Sequence, residues 1–358
     1  MGTSFSTGHA CGVAAAGNAH DYAHPHSARR TRSPHLMTRR RIALTGAAGS
    51  LAADIIPGLL ARGHTIVGID QRAPVDTFGC EFVECPVNDR AALLTALRGC
   101  DAVIHLAGIP LEAEWADILR ANIDGTQAVL EVAEQLGIRR VVLASSIHSA
   151  GFVPVPTDGS LVPDDVRVRP NTLYGVSKAA VEALGSLYHD RFGLDVICLR
   201  IASRFAEPTG ERTLSTWLSP ADAARLFDAC LQVPSPGFRT IWGVSANTRG
   251  YLSAEGGAAI GFRPEDDSER FAERMFAASD TDPSLLASDW DRAYIGAFSA
   301  RRNHHASAAI PHALDLGICY TDRNRNDRHR GQRCLCRTPP LQSFWWCRAG
   351  ARPERYQP

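Results

Sequence analysis

The chain has 358 residues, 45% of them hydrophobic, with 38 Lys plus Arg balanced by 38 Asp plus Glu. It is long enough for one large domain or two ordinary ones and has a composition normal for a folded soluble protein. No window approaches the roughly 20 apolar residues of a membrane span, and the first 36 residues lack the apolar centre of a signal peptide, so a membrane partner is excluded and a cytoplasmic location is expected.

The zero net charge conceals a segregation. Residues 37–300 carry 24 bases and 33 acids, whereas residues 301–358 carry eleven Arg against four acids. An acidic centre argues against nucleic acid as the main partner. Nine of the 13 histidines lie in the two ends, but neither His24 and His26 nor the Cys334 to Cys336 stretch has paired ligand spacing, so no metal is expected. Residues 1–36 and 301–358 read as disordered extensions around a domain at 37–300, and Met37, directly before TRRRIALTG, stands as an alternative start of translation. Cys80, Cys85, Cys100, Cys198 and Cys230 form no disulfide-like pattern, in keeping with a reducing compartment.

From residue 41 short β-branched runs alternate with longer helical patterns. RIALT (41–45), HTIVGID (64–70), DAVIHLA (101–107), RVVLASS (140–146) and DVICLRI (195–201) predict buried strands, with helices over 50–62, 115–136 and 172–192 between them. Strand, helix, strand in repetition means parallel pairing with helices on both faces, an α/β doubly wound Rossmann sheet whose ligands sit beyond the carboxyl ends of the strands. The NAD-binding part is read as 41–201. After it the pattern loosens into short helices such as SPADAARLFDACLQ, read mainly as a small substrate cap over 202–300.

The first strand runs into TGAAGSLA. Gly46 and Gly49 permit a tight turn that lets backbone amides reach a pyrophosphate at the start of the next helix, and Ala52 stands where a third glycine is usual, a tolerated exchange. Asp70 ends the second strand, placed to accept hydrogen bonds from an adenosine ribose and to repel a 2′-phosphate, which favours NAD over NADP although Arg72 is close by. Ser50, Leu51, Val87, Leu106, Ala107 and Gly108 complete the expected cofactor side.

One lysine, Lys178, stands among 37 arginines, four residues after Tyr174 in NTLYGVSKAA. On a helix that spacing puts both side chains on one face. A phenol that titrates near 10 and works near 7 needs about three units of help, roughly 4 kcal/mol, and an adjacent ammonium supplies help of that kind. Tyr174 is then the expected general base, Lys178 its electrostatic partner and a donor to the nicotinamide ribose, and Ser146, at the end of RVVLASS, the group that orients the substrate oxygen. Asn122 in RANIDGTQ is expected to complete a proton relay through water.

With these motifs in order, residues 42 to about 300 resemble an extended short-chain dehydrogenase/reductase of the epimerase/dehydratase group, and LSTWLSPADAARL with IWGVSANTR is similar to the bacterial uronate dehydrogenases. The resemblance implies NAD-dependent oxidation at C1 of a small sugar acid to an aldarolactone. It implies Arg212 in GERTLSTW as the carboxylate-binding arginine, a role a planar guanidinium fork suits, with Ser203 and His148 beside Ser146 as further substrate contacts. Three positions depart from the family pattern: Ile147 stands for an asparagine, Pro110 for a serine and Pro86 for an aspartate. Each exchanges a polar contact for an apolar surface, so the hydride chemistry reads as intact and the hydroxyl recognition as altered. A nucleotide-sugar epimerase or dehydratase, a non-catalytic NAD-binding regulator, and a homo-oligomeric assembly all stay open on sequence grounds.

Overall fold

The computed structural model describes residues 38–297. The expectations about residues 1–36, Met37 and the tail from 301 lie outside the described residues. Seven parallel strands form the main sheet: β1 (Arg41–Thr45), β2 (Thr65–Asp70), β3 (Glu81–Glu84), β4 (Ala102–His105), β5 (Arg140–Ser146), β6 (Asp195–Ile201) and β9 (Phe238–Gly243), in the order β3-β2-β1-β4-β5-β6-β9. β7 (Ser203–Arg204) and β8 (Trp217–Leu218) make a separate two-residue ladder. The helices are α1 (Ser50–Ala61), α2 (Arg90–Ala96), α3 (Trp115–Ile118), α4 (Gly125–Gln135), α5 (Leu173–Phe192), α6 (Glu211–Thr216), α7 (Pro220–Gln232), α8 (Glu255–Ala259), α9 (Ala272–Ser279) and α10 (Asp289–Ala293). None of the described helices is long and apolar enough to cross a membrane.

The strand period of two explains the layering. Ile42 and Leu44 of β1 and Ile197 and Leu199 of β6 point into one core with α1 and α7, while Ala43, Val196 and Cys198 point into the other with α2, α4 and α5. On the first face α1 and α7 approach closely: a Cβ at Gly58 would lie 2.5 Å from the Cβ of Ala224. The five expected strands are all present. The sequence reading missed β3, α2 and β9. β3 is an edge strand of four residues whose EFVE pattern is polar at both ends, and β9 lies in the stretch read mainly as cap. β9 and α7 are therefore scaffold within 202–300. The helix expected over 115–136 is three consecutive pieces, because Leu119–Asp124 winds as a π-helix between α3 and α4. Such a wide turn is characteristic of functional sites.

α5 is sharply delimited. The Thr172 hydroxyl accepts from the Gly175 amide at 2.8 Å, both Glu112 carboxylate oxygens accept at 3.1 Å, one from the Leu173 amide and one from that of Tyr174, and Gly193 closes the helix at φ +73°. Its middle carries Glu182, buried, which accepts from Ser145 Oγ at 2.6 Å, Ser149 Oγ at 2.9 Å and the Arg200 guanidinium twice at 2.9 Å. Arg200 also donates to the carbonyls of Asp164 and Val166 and lies over the Trp242 ring. This buried pair fixes both ends of the segment on which Ser146 lies. Removing one member leaves the other charge uncompensated, so Arg200→Met should lower the unfolding free energy in urea by about 3–5 kcal/mol, and the double variant Glu182→Leu/Arg200→Met should lose less than the single.

Candidate active site

The glycine turn leaves β1 at the switch point between β1 and β4, where neighbouring crossovers diverge. Gly46 has φ +77°, and a Cβ there would come within 2.7 Å of the Ala107 nitrogen and 2.9 Å of the Leu106 carbonyl carbon, so only glycine lets this turn lie against the end of β4. Gly49 is the N-cap of α1, whose first-turn amides at Ser50, Leu51 and Ala52 have no preceding carbonyl of the helix to bond. Ala52 is fully buried and its methyl packs in the core, which accounts for alanine where a glycine is usual. Asp70 accepts from the Ala48 amide at 3.1 Å and from the Arg72 amide at 3.2 Å, which locks its carboxylate over the turn. Val87, after β3, packs on Gly125 at the start of α4. A backbone cradle closed to any side chain, with a helix N-terminus and a positioned carboxylate, fits a dinucleotide.

Arg204 was not anticipated. It reaches from the substrate-side ladder to α1, 2.5 Å from Asp54 and 2.5 Å from Ser50 Oγ. No local pattern distinguishes it from the other arginines, and only the approach of β7 to α1 brings it to the cofactor side.

Tyr174 and Lys178 share one face of α5, with the Lys178 Nζ 5.5 Å from the centre of the Tyr174 ring. Nζ donates to the Ala144 carbonyl at 2.8 Å, which leaves two further protons on the ammonium. The Ser146 hydroxyl accepts from the His148 amide at 3.2 Å and lies close enough to the Tyr174 phenol to draw its pKa down. The electrostatics differ from the sequence expectation. Burial pushes Tyr174 up to about 12, with only the Ser146 hydrogen bond drawing it back, and burial pushes Lys178 down to about 8. The protein's own groups thus do not hold the phenol ionised near neutrality; desolvation outweighs the neighbouring amine. His105, at the end of β4, is pushed down to about 3, first by burial and then by Lys178; it sits between Thr45 Oγ1 at 2.7 Å and Thr126 Oγ1 at 3.0 Å.

Asn122 lies in the π-helical turn. Its Oδ1 accepts from the Ile109 amide at 2.7 Å, and its two amide hydrogens go to the Ile109 carbonyl at 3.0 Å and Ser177 Oγ at 2.9 Å, while Ser177 donates to the Tyr174 carbonyl at 2.7 Å. Both donors being engaged, Asn122 ties the loop after β4 to α5. Gly108 (φ +152°) faces it, and a Cβ there would meet Oδ1 at 2.8 Å.

On the substrate side His148 packs edge-on against Tyr174 (centroids 5.8 Å) and bonds Asn171 Oδ1 through Nδ1 at 2.9 Å. Burial lowers its pKa, Asn171 raises it, and Arg212 lowers it further, so the ring is a neutral group within electrostatic reach of the guanidinium. Arg212 donates to Ser203 Oγ at 3.1 Å and to the Ile295 carbonyl at 2.5 Å, and lies 3.4 Å from Asp291. Ser203 is held in turn by Thr216 at 2.8 Å. Ile147, expected to change hydroxyl recognition, is buried in an apolar cluster with Trp242 and Ile295. Tyr174, Lys178 and His148 are joined by ring contacts and Arg212 to Ser203 by a hydrogen bond, with Arg212 within electrostatic reach of His148. Glu112, Asn171 and Asp291, which position them, come from loops and a short helix with no periodic signal.

A protein-family model, the NAD dependent epimerase/dehydratase family, matches residues 42–254. The uronate dehydrogenase of Pseudomonas syringae pv. tomato is 33% identical over 73% of this chain and 94% of its own length. The NAD-dependent glucose-6-phosphate dehydrogenase of Haloferax volcanii is 35% identical over 56% of this chain and 82% of its own. A crystal structure of the Agrobacterium tumefaciens uronate dehydrogenase, a mutant complexed with NAD, superposes with a TM-score of 0.65 at 33% identity, covering 72% of this chain and 96% of that one. The fold, the glycine turn at the sheet's switch point and the matched span together make this chain a member of the NAD dependent epimerase/dehydratase family.

Proposed function

We propose that the protein is an NAD-dependent dehydrogenase that oxidises C1 of a uronate to the corresponding aldarolactone. The observation that carries the reading is a phenol and an ammonium on one helix face, with His148 packed edge-on against the phenol and a largely buried guanidinium within electrostatic reach of that histidine. The identity shared with uronate dehydrogenases supports the substrate class.

Gly46, Gly49, Ser50, Leu51, Asp70, Val87, Leu106, Ala107 and Gly108 are the residues that would hold NAD, which when bound supplies the hydride acceptor and a positive charge beside the phenol. Arg212 binds the substrate carboxylate through its fork, with Ser203 fixing the guanidinium. Ser146 holds the C1 oxygen, and Tyr174 takes the hydroxyl proton. Since burial, only partly offset by Ser146, raises the phenol to about 12, Tyr174 becomes a competent base only when cationic charge is close, so Lys178 must be protonated to act. Enclosing that ammonium costs stability: a fall from 10.5 to about 8 corresponds to on the order of 3 kcal/mol near neutral pH.

Turnover of galacturonate, glucuronate, glucose 6-phosphate and neutral sugars, followed by NADH absorbance, tests the reading. Tyr174→Phe should reduce kcat on uronates by about a hundredfold or more. Arg212→Ala should cut kcat/KM for uronates by about 10²–10³ and leave neutral sugars unaffected. Equal turnover of neutral sugars and acids would remove the carboxylate assignment. Lys178→Met should abolish turnover yet melt higher than the parent at neutral pH. The depressed folded-state pKa means the unfolded chain binds the extra proton between about 8 and 10.5, so the parent gains stability through that interval and the variant's advantage should shrink there. Melting curves from neutral to alkaline pH read this directly.

A further inference from the structure

β7 is short and serves two sides. Its parallel pairing sets Ser203 beside Trp217 and Arg204 beside Leu218, and the Trp217 indole donates to the Phe205 carbonyl at 2.9 Å, so the backbone that carries both side chains is held. Successive side chains of a strand leave on opposite faces. Ser203 is buried against Thr216 and accepts from Arg212, whereas Arg204 crosses to α1. There its guanidinium forks: Nη1 donates to Asp54 Oδ2 at 2.5 Å and Nη2 to Ser50 Oγ at 2.5 Å. Ser50 and Asp54 stand at i and i+4 and share one face of the helix. Ser50 is the first residue of α1, directly after the Gly49 N-cap, so the guanidinium lies one hydrogen bond from the residue whose amide opens the helix.

That end of α1 is short of positive side chains. No lysine or arginine stands between Arg41 and Arg62, and those two are paired elsewhere, Arg41 with Glu81 and Arg62 with Asp228 and the Gly58 carbonyl. Asp54 and Asp70 add negative charge on the cofactor side, and a dinucleotide brings a further negative charge on each of its phosphates. Free backbone amides and the helix dipole meet part of that charge. Arg204 neutralises Asp54, and of the five N–H groups of a guanidinium the two bonds above use two, which leaves three for another acceptor. Its side chain is 22% exposed, so part of the fork stays open to a ligand. We propose that Arg204 is a cofactor-binding residue that contacts the pyrophosphate of NAD from the substrate-side ladder, with Asp54 and Ser50 holding its fork in place. A planar fork suits phosphate oxygens. The inference rests on the cofactor reading of the glycine turn and is independent of which sugar is oxidised.

Fluorescence titration with NADH, and displacement of NADH by ADP-ribose and by adenosine, test the contact without turnover. Arg204→Met should raise the Kd of NADH and ADP-ribose, which both carry the pyrophosphate, about 10- to 100-fold, and leave adenosine within about twofold of the parent. Arg204→Lys should recover part of the loss, since a point charge still attracts phosphate. Salt should weaken NADH binding less in Arg204→Met than in the parent. Asp54→Asn removes an anion and keeps the guanidinium, so it should bind NADH at least as tightly as the parent. If Arg204→Met melts too low to titrate, Arg204→Gln gives the same contrast between ligands. Equal losses on adenosine and ADP-ribose, or a loss in Asp54→Asn that matches the loss in Arg204→Met, would mean that the arginine only fastens the ladder to α1, and overturn the contact. Unchanged NADH affinity in Arg204→Met removes this inference alone, and a parent that binds no NADH removes the cofactor reading of the turn together with it.

Discussion

The enclosure of one amine and one phenol on the same face of α5 is the constraint around which the rest is arranged. Lys178 and Tyr174 lie 5.5 Å apart, nitrogen to ring centre, the amine buried and the phenol partly buried where the sheet ends. Desolvation opposes the charged form of each, lowering the lysine to about 8 and raising the tyrosine to about 12. The amine's attraction for a phenolate is thus too small by itself to ionise the phenol. The pair is poised so that added positive charge has a large effect: in a low-dielectric setting a nearby cation acts with much less screening than it would in water. The same desolvation that makes the pair unfavourable in the folded chain makes it responsive to a bound dinucleotide.

Holding such a pair in place requires rigid surroundings, and the buried polar groups supply them. Glu182 and Arg200 lock both ends of the segment that carries Ser146, Asn122 ties the loop after β4 to α5 through Ser177, and Glu112 binds the first amides of the helix. Each of these groups has its partners, so the network stiffens the site without leaving unmet hydrogen bonds. Gly46 and Gly108 serve the same end by close approach, since a side chain at either would push the β4 end away from the turn or from Asn122. The π-helical turn at Leu119–Asp124 is the local adjustment that carries Asn122.

The substrate side follows a different logic. Arg212 is held by Ser203, Ile295 and Asp291, the last of which already offers it a carboxylate. Under the proposed role of Arg212, an incoming acid shares or displaces that pairing, which favours ligands able to engage the fork in two places. Ile147 lies in an apolar cluster with Trp242 and Ile295, whose carbonyl accepts from Arg212.

Much of this was readable along the chain. The alternation of apolar runs and helical periods specified five of the seven strands, because buried parallel strands are near-continuous in Val, Ile and Leu. The glycine turn, Asp70, and the i,i+4 relation of Tyr174 and Lys178 are local features, and local geometry carries them into the fold unchanged. What escaped was of two kinds. β3 and β9 are short or lie beside loops, so their burial comes from neighbours and not from their own pattern. Arg204, Glu112, Asn171 and Asp291 acquire meaning only by contact with residues tens to more than a hundred positions away, a relation that one-dimensional spacing does not encode. The sequence by itself determined the layered α/β scaffold, the dinucleotide turn and the identity of the phenol and amine, since each rests on spacing within one element. The tertiary structure alone decided how strongly burial opposes their ionisation and which polar groups hold them, because solvent exclusion and long-range contact exist only once the chain has closed on itself.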